Sequence, residues 1–216
     1  MPTWLAKIWI WCVTLTGRIK WSKFVSWLRG GKPYWDLTPD ELAVIREMLA
    51  SNYYVILTYR KTHLSSYGIG FIGWLKTGKW SRYTHSLMNL EGPVVNDDDF
   101  RLVEATGKGV HLSTFEEVFD CDRVCLLRPK GYDATDWIDA MDALLQNQGK
   151  PYDNLFNLAD DTSVSCVELV RDALMAAPDY AANFAAFERD IAKRKNLIPQ
   201  MFRDCPDFEV VIELIH

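Results

Sequence analysis

Histidine is scarce in this chain. Among 216 residues there are four, His63, His85, His111 and His216, so few groups are available as a catalytic base near neutral pH. The five cysteines (Cys12, Cys121, Cys125, Cys166, Cys205) include no CxxC pair, and no histidines cluster beside Cys121 and Cys125. That argues against a zinc site, and an odd number at irregular spacing argues against a disulfide framework. The simplest reading is a reduced chain with at least one free thiol. No apolar run reaches the ~20 residues a membrane span requires. The longest, WLAKIWIWCVTLT over residues 4 to 16, is broken by Lys7 and has neither a basic segment before it nor an A-x-A-like site after it. The expected setting is therefore the cytoplasm, a membrane surface or a virion. No internal repeat, low-complexity tract or cofactor motif is present.

Acidic residues are missing from one region. The first is Asp36, whereas residues 1 to 33 hold Lys7, Arg18, Lys20, Lys23, Arg29 and Lys32. Of 24 Lys and Arg, these six leave 18 for the remainder, against 29 acids. The same stretch carries Trp4, Trp9, Trp11, Trp21 and Trp27, with Trp35 close behind. Trp21, Phe24, Val25 and Leu28 fall at helical spacing, and Gly30 and Gly31 end the element. A basic, tryptophan-rich helical extension over residues 1–50 is thus expected on an acidic domain over 51–216. It suits docking, either to a membrane interface or to protein. Nothing else in the chain points to nucleic acid.

Half of the residues are hydrophobic, ample for a packed core. Thr38-Pro39-Asp40-Glu41 is a capping box opening a helix through Leu49. Strands are expected at 53–60, 83–90, 101–105 and 123–128, from β-branched and aromatic content between turn residues. Helices are expected at 112–119 with Ser113 as cap, at 133–148, and at 180–194, the last polar and peripheral. FEVVIELI (208–215) reads as a strand or a short helix, and residues 63–80 are glycine-punctuated, with IGFIGWLKTG as a short helix. Short strands and helices in this order give an α+β class.

SVSCVELVRDAL (163–174) places a cysteine at a helix start. Leu169, Val170, Ala173 and Leu174 form the apolar stripe, and Thr162, Ser163 and Ser165 are helix-starting types. Free N–H groups and the positive dipole end favour a thiolate there. The plain alternative is a small buried apolar residue. A nucleophile needs a base and a group that orients the base. His85 lies within one strand and Glu104 within a second. A short connection joins these strands, so they are expected to pair with both side chains on one face. Taken singly, each reads as readily as a structural residue. Asp160 and Asp161, just before the cysteine, are expected to push its pKa up.

THSLMNL, LVEATGKGV, LLRP, GKPYDNLF and SCVELV, in that order, resemble the circularly permuted branch of the NlpC/P60 papain-like superfamily, the YiiX-like proteins. The resemblance spans roughly residues 53 to 176. It implies a small antiparallel sheet packed against the nucleophile's helix, with Cys166 as nucleophile, His85 as base and Glu104 as the orienting third residue. Tyr152, in GKPYD, is implied near the site for substrate contact or loop packing. Val167 departs from the small hydroxyl residue many relatives carry. The implied activity is cysteine-dependent hydrolysis of an amide, in the first instance in bacterial cell-wall peptides, without metal or other cofactor. Two rivals stand beside it. One is lipid acyl chemistry of the lecithin:retinol acyltransferase kind, where histidine usually replaces Glu104. The other is a docking module with an idle site.

Overall fold

The computed structural model describes residues 37–60, 64–78, 80–90, 101–153, 161–194 and 197–215. The basic tryptophan-rich segment, His63, Cys12, Asp160 and His216 lie outside these residues.

Among the described residues six strands form one antiparallel sheet: β1 (Val55–Tyr59), β2 (His85–Asn89), β3 (Leu102–Thr106), β4 (Gly109–Ser113), β5 (Arg123–Pro129) and β6 (Phe208–Ile215). Their order across the sheet is β4-β3-β2-β1-β5-β6. Every residue of VILTY in β1 is buried, as a central strand covered on both faces requires. Alternation divides β1 between two cores. Val55 and Leu57 join Met88, Val103, Ala105, Cys125 and Leu127 on one face. Ile56 joins Leu87, Leu102, Val124 and Leu126 on the other.

The second face is covered by α1 (Pro39–Ser51) and α3 (Phe115–Phe119). Helix α1 starts at the Thr38–Glu41 capping box with Pro39 in its first turn, and buries Ile45 and Leu49. Its end is fixed by Asn89, whose side chain accepts from the Tyr54 N–H (2.7 Å) and donates to the Asn52 carbonyl (2.9 Å). Residues 39–50, grouped by composition with the N-terminal extension, therefore pack on the sheet.

The first face carries α4 (Ala134–Gln146), α5 (Cys166–Met175), α6 (Tyr180–Asn183), α7 (Ala185–Arg194) and α8 (Gln200–Asp204). Residues 180–194 are not the polar, peripheral helix their charge suggested. Phe184 and Phe187 are fully buried and Ile191 nearly so, on one face at i, i+3 and i+7. Phe187 stacks on Phe202, and both meet Phe208 of β6 edge-on. Arg171 of α5 forks onto Glu188 of α7 at 2.8 and 3.0 Å and locks the two helices together.

Two further local readings are revised, and a third is settled. Residues 64–77 form one helix, α2 (Leu64–Thr77), longer than the glycines suggested. VHLS belongs to β4, so α3 starts later than expected and Thr114, not Ser113, is its cap. FEVVIELI is a strand, paired with β5.

Candidate active site

Strands β2 and β3 pair antiparallel with Met88 opposite Val103 and Asn89 opposite Leu102. The pairing runs no further towards His85, and beyond it the side chains of His85 and Glu104 meet across the two strands. The His85 Nε2 lies 2.6 Å from Glu104 Oε2. Strand β4 completes the carboxylate's surroundings. The Ser113 hydroxyl donates to Glu104 Oε1 at 2.6 Å, and His111, directly opposite Glu104 in the β3–β4 register, brings its Nε2 to 3.6 Å from Oε1. His111 is itself oriented by Nδ1, which donates to the Gly109 carbonyl at 2.9 Å.

Cys166 is the first residue of α5. Ser165 is the cap: its side chain accepts from the Glu168 N–H, and the Glu168 carboxylate returns a bond to the Ser165 N–H at 2.8 Å. That box occupies the cap and third-turn-position amides and leaves the N–H groups of Cys166 and Val167 at the helix mouth. The helix start is fastened to β2 by Ser86, whose hydroxyl donates to the Cys166 carbonyl at 3.0 Å. With Nε2 of His85 taken up by Glu104, Nδ1 is the nitrogen left to the Cys166 thiol, with which the ring is hydrogen-bonded.

The fourth residue arrives on a loop laced in by backbone. Val110 N–H donates to Lys150 (2.9 Å), Gly149 N–H to Val110 (2.9 Å), Val164 N–H to Pro151 (3.0 Å) and Asp153 N–H to Val164 (3.1 Å). Tyr152 thereby bridges in parallel with Val164, two residues before the nucleophile, and its hydroxyl meets the Cys166 sulfur. The close approach depends on Gly109: at φ +91° a Cβ there would lie 2.5 Å from the Lys150 carbonyl oxygen.

Charge follows this geometry. Burial alone would lower the His85 pKa, but the hydrogen bonds and charges of Cys166 and Glu104 outweigh it and raise it to about 10. Burial would raise Glu104. The hydrogen bond and charge of His85, then the Ser113 hydroxyl and Arg60, hold it down at about 2. Burial also pushes the Cys166 thiol up, yet His85 and then Ser86 bring it below the ordinary thiol value. Asp160 lies outside the described residues and Asp161 is not among the main influences on the thiol; the imidazole in contact with the sulfur outweighs the burial that opposes ionisation. The Tyr152 phenol is held well above its usual range by burial first and then by Cys166, so it remains a hydrogen-bond donor. Cys166 is 1% exposed, whereas 23% of the His85 side chain is open.

Cys166, His85, Glu104 and Tyr152 are thus brought together. Ser86 and Ser113 also face the site, and neither stood out in the sequence as a site residue. Ser86 follows the base directly, and Ser113 had been assigned to a helix cap. Only the β3–β4 pairing singles out Ser113.

The fold is α+β and papain-like in arrangement: an antiparallel sheet packed on the helix that starts with the cysteine. Among solved structures the chain is similar to one described as metalloprotein yiiX from Escherichia coli O157:H7, DUF1105, with a TM-score of 0.55 and 17% identity, covering 77% of this chain and 98% of that one. No family model and no curated protein matches the sequence. Among the described residues no group of three or more His, Cys, Asp and Glu is placed to hold a metal ion. The groups nearest to such a set are turned on one another: His85 Nε2 bonds Glu104, and His111 Nε2 faces the same carboxylate. These residues therefore do not fit a metal site. No helix among the described residues is long and apolar enough to cross a membrane.

Proposed function

We propose that the protein is a cysteine hydrolase that cleaves an amide through a covalent thioester, with Cys166 as nucleophile, His85 as general base and acid, and Glu104 as the group that orients and charges the imidazole. The observation that carries this reading is the continuous line from Glu104 through His85 to a thiol whose pKa is lowered at the start of a helix. His85 takes the thiol proton. The thiolate forms a bond to the substrate carbonyl carbon, and the carbonyl oxygen becomes an oxyanion. The N–H groups of Cys166 and Val167 and the Tyr152 hydroxyl are the available donors for it. The imidazolium gives its proton to the departing amine as the C–N bond breaks. Water, deprotonated by His85, then opens the thioester to a carboxylate and restores the thiol.

Bacterial cell-wall peptides are the first substrates to test. The assay is mass-spectrometric detection of cleavage by the full chain, with Cys166→Ala and His85→Ala beside it. Cys166→Ala is expected to fold and to lose all turnover. Full activity in that variant would remove the assignment. A second substrate class, lipid acyl esters, is favoured by one observation: α2, whose aromatic side chains are exposed, is bonded through Ser66 to Thr84, the residue before His85. It belongs in the same screen.

A further inference from the structure

Helix α2 carries its aromatic side chains outward. Tyr67, Phe71 and Trp74, at i, i+4 and i+7, are 46, 48 and 49% exposed, and Trp80 just beyond the helix is 45% exposed. Phe71 stacks on Trp74 with ring centroids 5.8 Å apart. Trp80 lies over Gly70, where a Cβ would come within 2.6 Å of its ring, so the missing side chain seats the indole against the helix. Four large rings, each nearly half open, form one platform. Scattered exposed apolar residues are ordinary in a soluble protein, but a contiguous set of this size marks an interaction surface.

Charge selects the partner. Between Glu47 and Glu91 the sequence contains no acid, while it holds Arg60, Lys61, Lys76, Lys79 and Arg82. This is the part of the chain that contributes the platform, in a protein whose net charge is −5. Aromatic rings with a polar edge, on a stretch of chain that holds cations and no acid, match the headgroup region of an anionic bilayer, where indole and phenol rings settle at the boundary and Lys and Arg meet lipid phosphate.

We propose that the outer face of α2, with Trp80, docks the protein on an anionic lipid surface. The other face of the helix is tied to the catalytic strand: the Thr84 hydroxyl, one residue before His85, donates to Ser66 of α2 at 3.1 Å. Docking therefore sets the site beside the membrane surface, whatever Cys166 acts on.

The test is co-sedimentation of the full chain with vesicles of equal parts phosphatidylcholine and phosphatidylglycerol, against pure phosphatidylcholine. The comparison variant is Phe71→Ser with Trp74→Ser. Wild type is expected to partition onto the anionic vesicles and to be released by added salt. The variant is expected to lose at least roughly tenfold in partition, because an aromatic ring moved out of water contributes of that order. Phe71→Ser alone, with the thermal midpoint as a folding control, serves if the double variant does not fold. Unchanged binding in the variants would overturn the proposal and move docking to residues 1–33. No vesicle binding by wild type would overturn it in favour of that segment or a protein covering α2. A dimer that the substitutions convert to monomer would overturn it in favour of a contact between copies.

Discussion

Glu104→Gln removes one charge from the centre of the site and almost no volume, so its effect can be worked out from the geometry. The carboxylate meets the imidazole at 2.6 Å, which puts the charge centres ~4 Å apart. At an effective dielectric of ~20 this attraction is about 4 kcal/mol in favour of the imidazolium. The thiolate lies on the far side of the ring, at roughly twice that distance, where the same carboxylate disfavours it by about 2 kcal/mol. The difference, about 2 kcal/mol, is what Glu104 adds to the thiolate–imidazolium pair relative to the neutral pair. That is about 30-fold in the ratio of ion pair to neutral pair. Glutamine keeps an oxygen to accept from Nε2, and its amide can face Ser113, whose hydroxyl turns to accept. Tautomer and fold are thereby largely retained. The assay is the rate of iodoacetamide labelling at Cys166 near neutral pH, variant against wild type, with the thermal midpoint as control. Since the sulfur is equally enclosed in both, the ratio reports the ion pair. Labelling of Glu104→Gln within about threefold of wild type would refute the reasoning, because the third residue would then have no electrostatic hold on the nucleophile.

Three other outcomes follow from the same geometry. Tyr152→Phe is expected to lower kcat by about 10² while leaving KM near wild type, as loss of an oxyanion donor does; an unchanged kcat would reduce Tyr152 to loop packing. Gly109→Ala combines a left-handed φ with a Cβ 2.5 Å from the Lys150 oxygen, so urea unfolding should register a loss of about 1–3 kcal/mol. Glu104 titrates at about 2 rather than at the ordinary 4.5. Its contribution to stability is therefore present above pH 4.5 and is lost as pH falls towards 2. Urea midpoints should show wild type losing on the order of 2 kcal/mol more than Glu104→Gln across that window, and equal acid sensitivity would contradict it.

The sheet was legible where residues alternate or are uniformly apolar. VILTY, HSLMN and VCLLR could be placed because central strands bury both faces, and a local pattern suffices to show it. The caps were equally local: Thr38 and Glu41 satisfy each other within one turn. VHLS was harder. A histidine and a serine in a five-residue edge strand carry little β signal, and only pairing with LVEAT defines them. Residues 180–194 misled through their charge, since three apolar positions sufficed to bury the helix while the polar ones stayed outside. The site divided along the same line. Cys166, His85 and Glu104 are chemically distinctive residue types, and the resemblance brought them together before any distance was known. Ser86 and Ser113 are chemically ordinary. Their place beside the thiol and the carboxylate depends on strand register and on where α5 begins, which no window of sequence encodes.

The capping of α5 bears on how durable the protein is under oxidants. Glu168 sets its own carboxylate at the helix mouth, where the dipole would otherwise favour an anion, so the low pKa of Cys166 rests chiefly on His85 and Ser86. The other described cysteines have no such neighbour: burial pushes Cys121, Cys125 and Cys205 up to about 12. Peroxides attack thiolates, so among these four sulfurs chemical damage is focused on one. Enclosure by the sheet and the Tyr152 loop is its protection, and imidazole protonation governs how much thiolate stands at risk. Sulfenylation at that one atom would silence the site and leave the core cysteines, and the fold they help to pack, untouched.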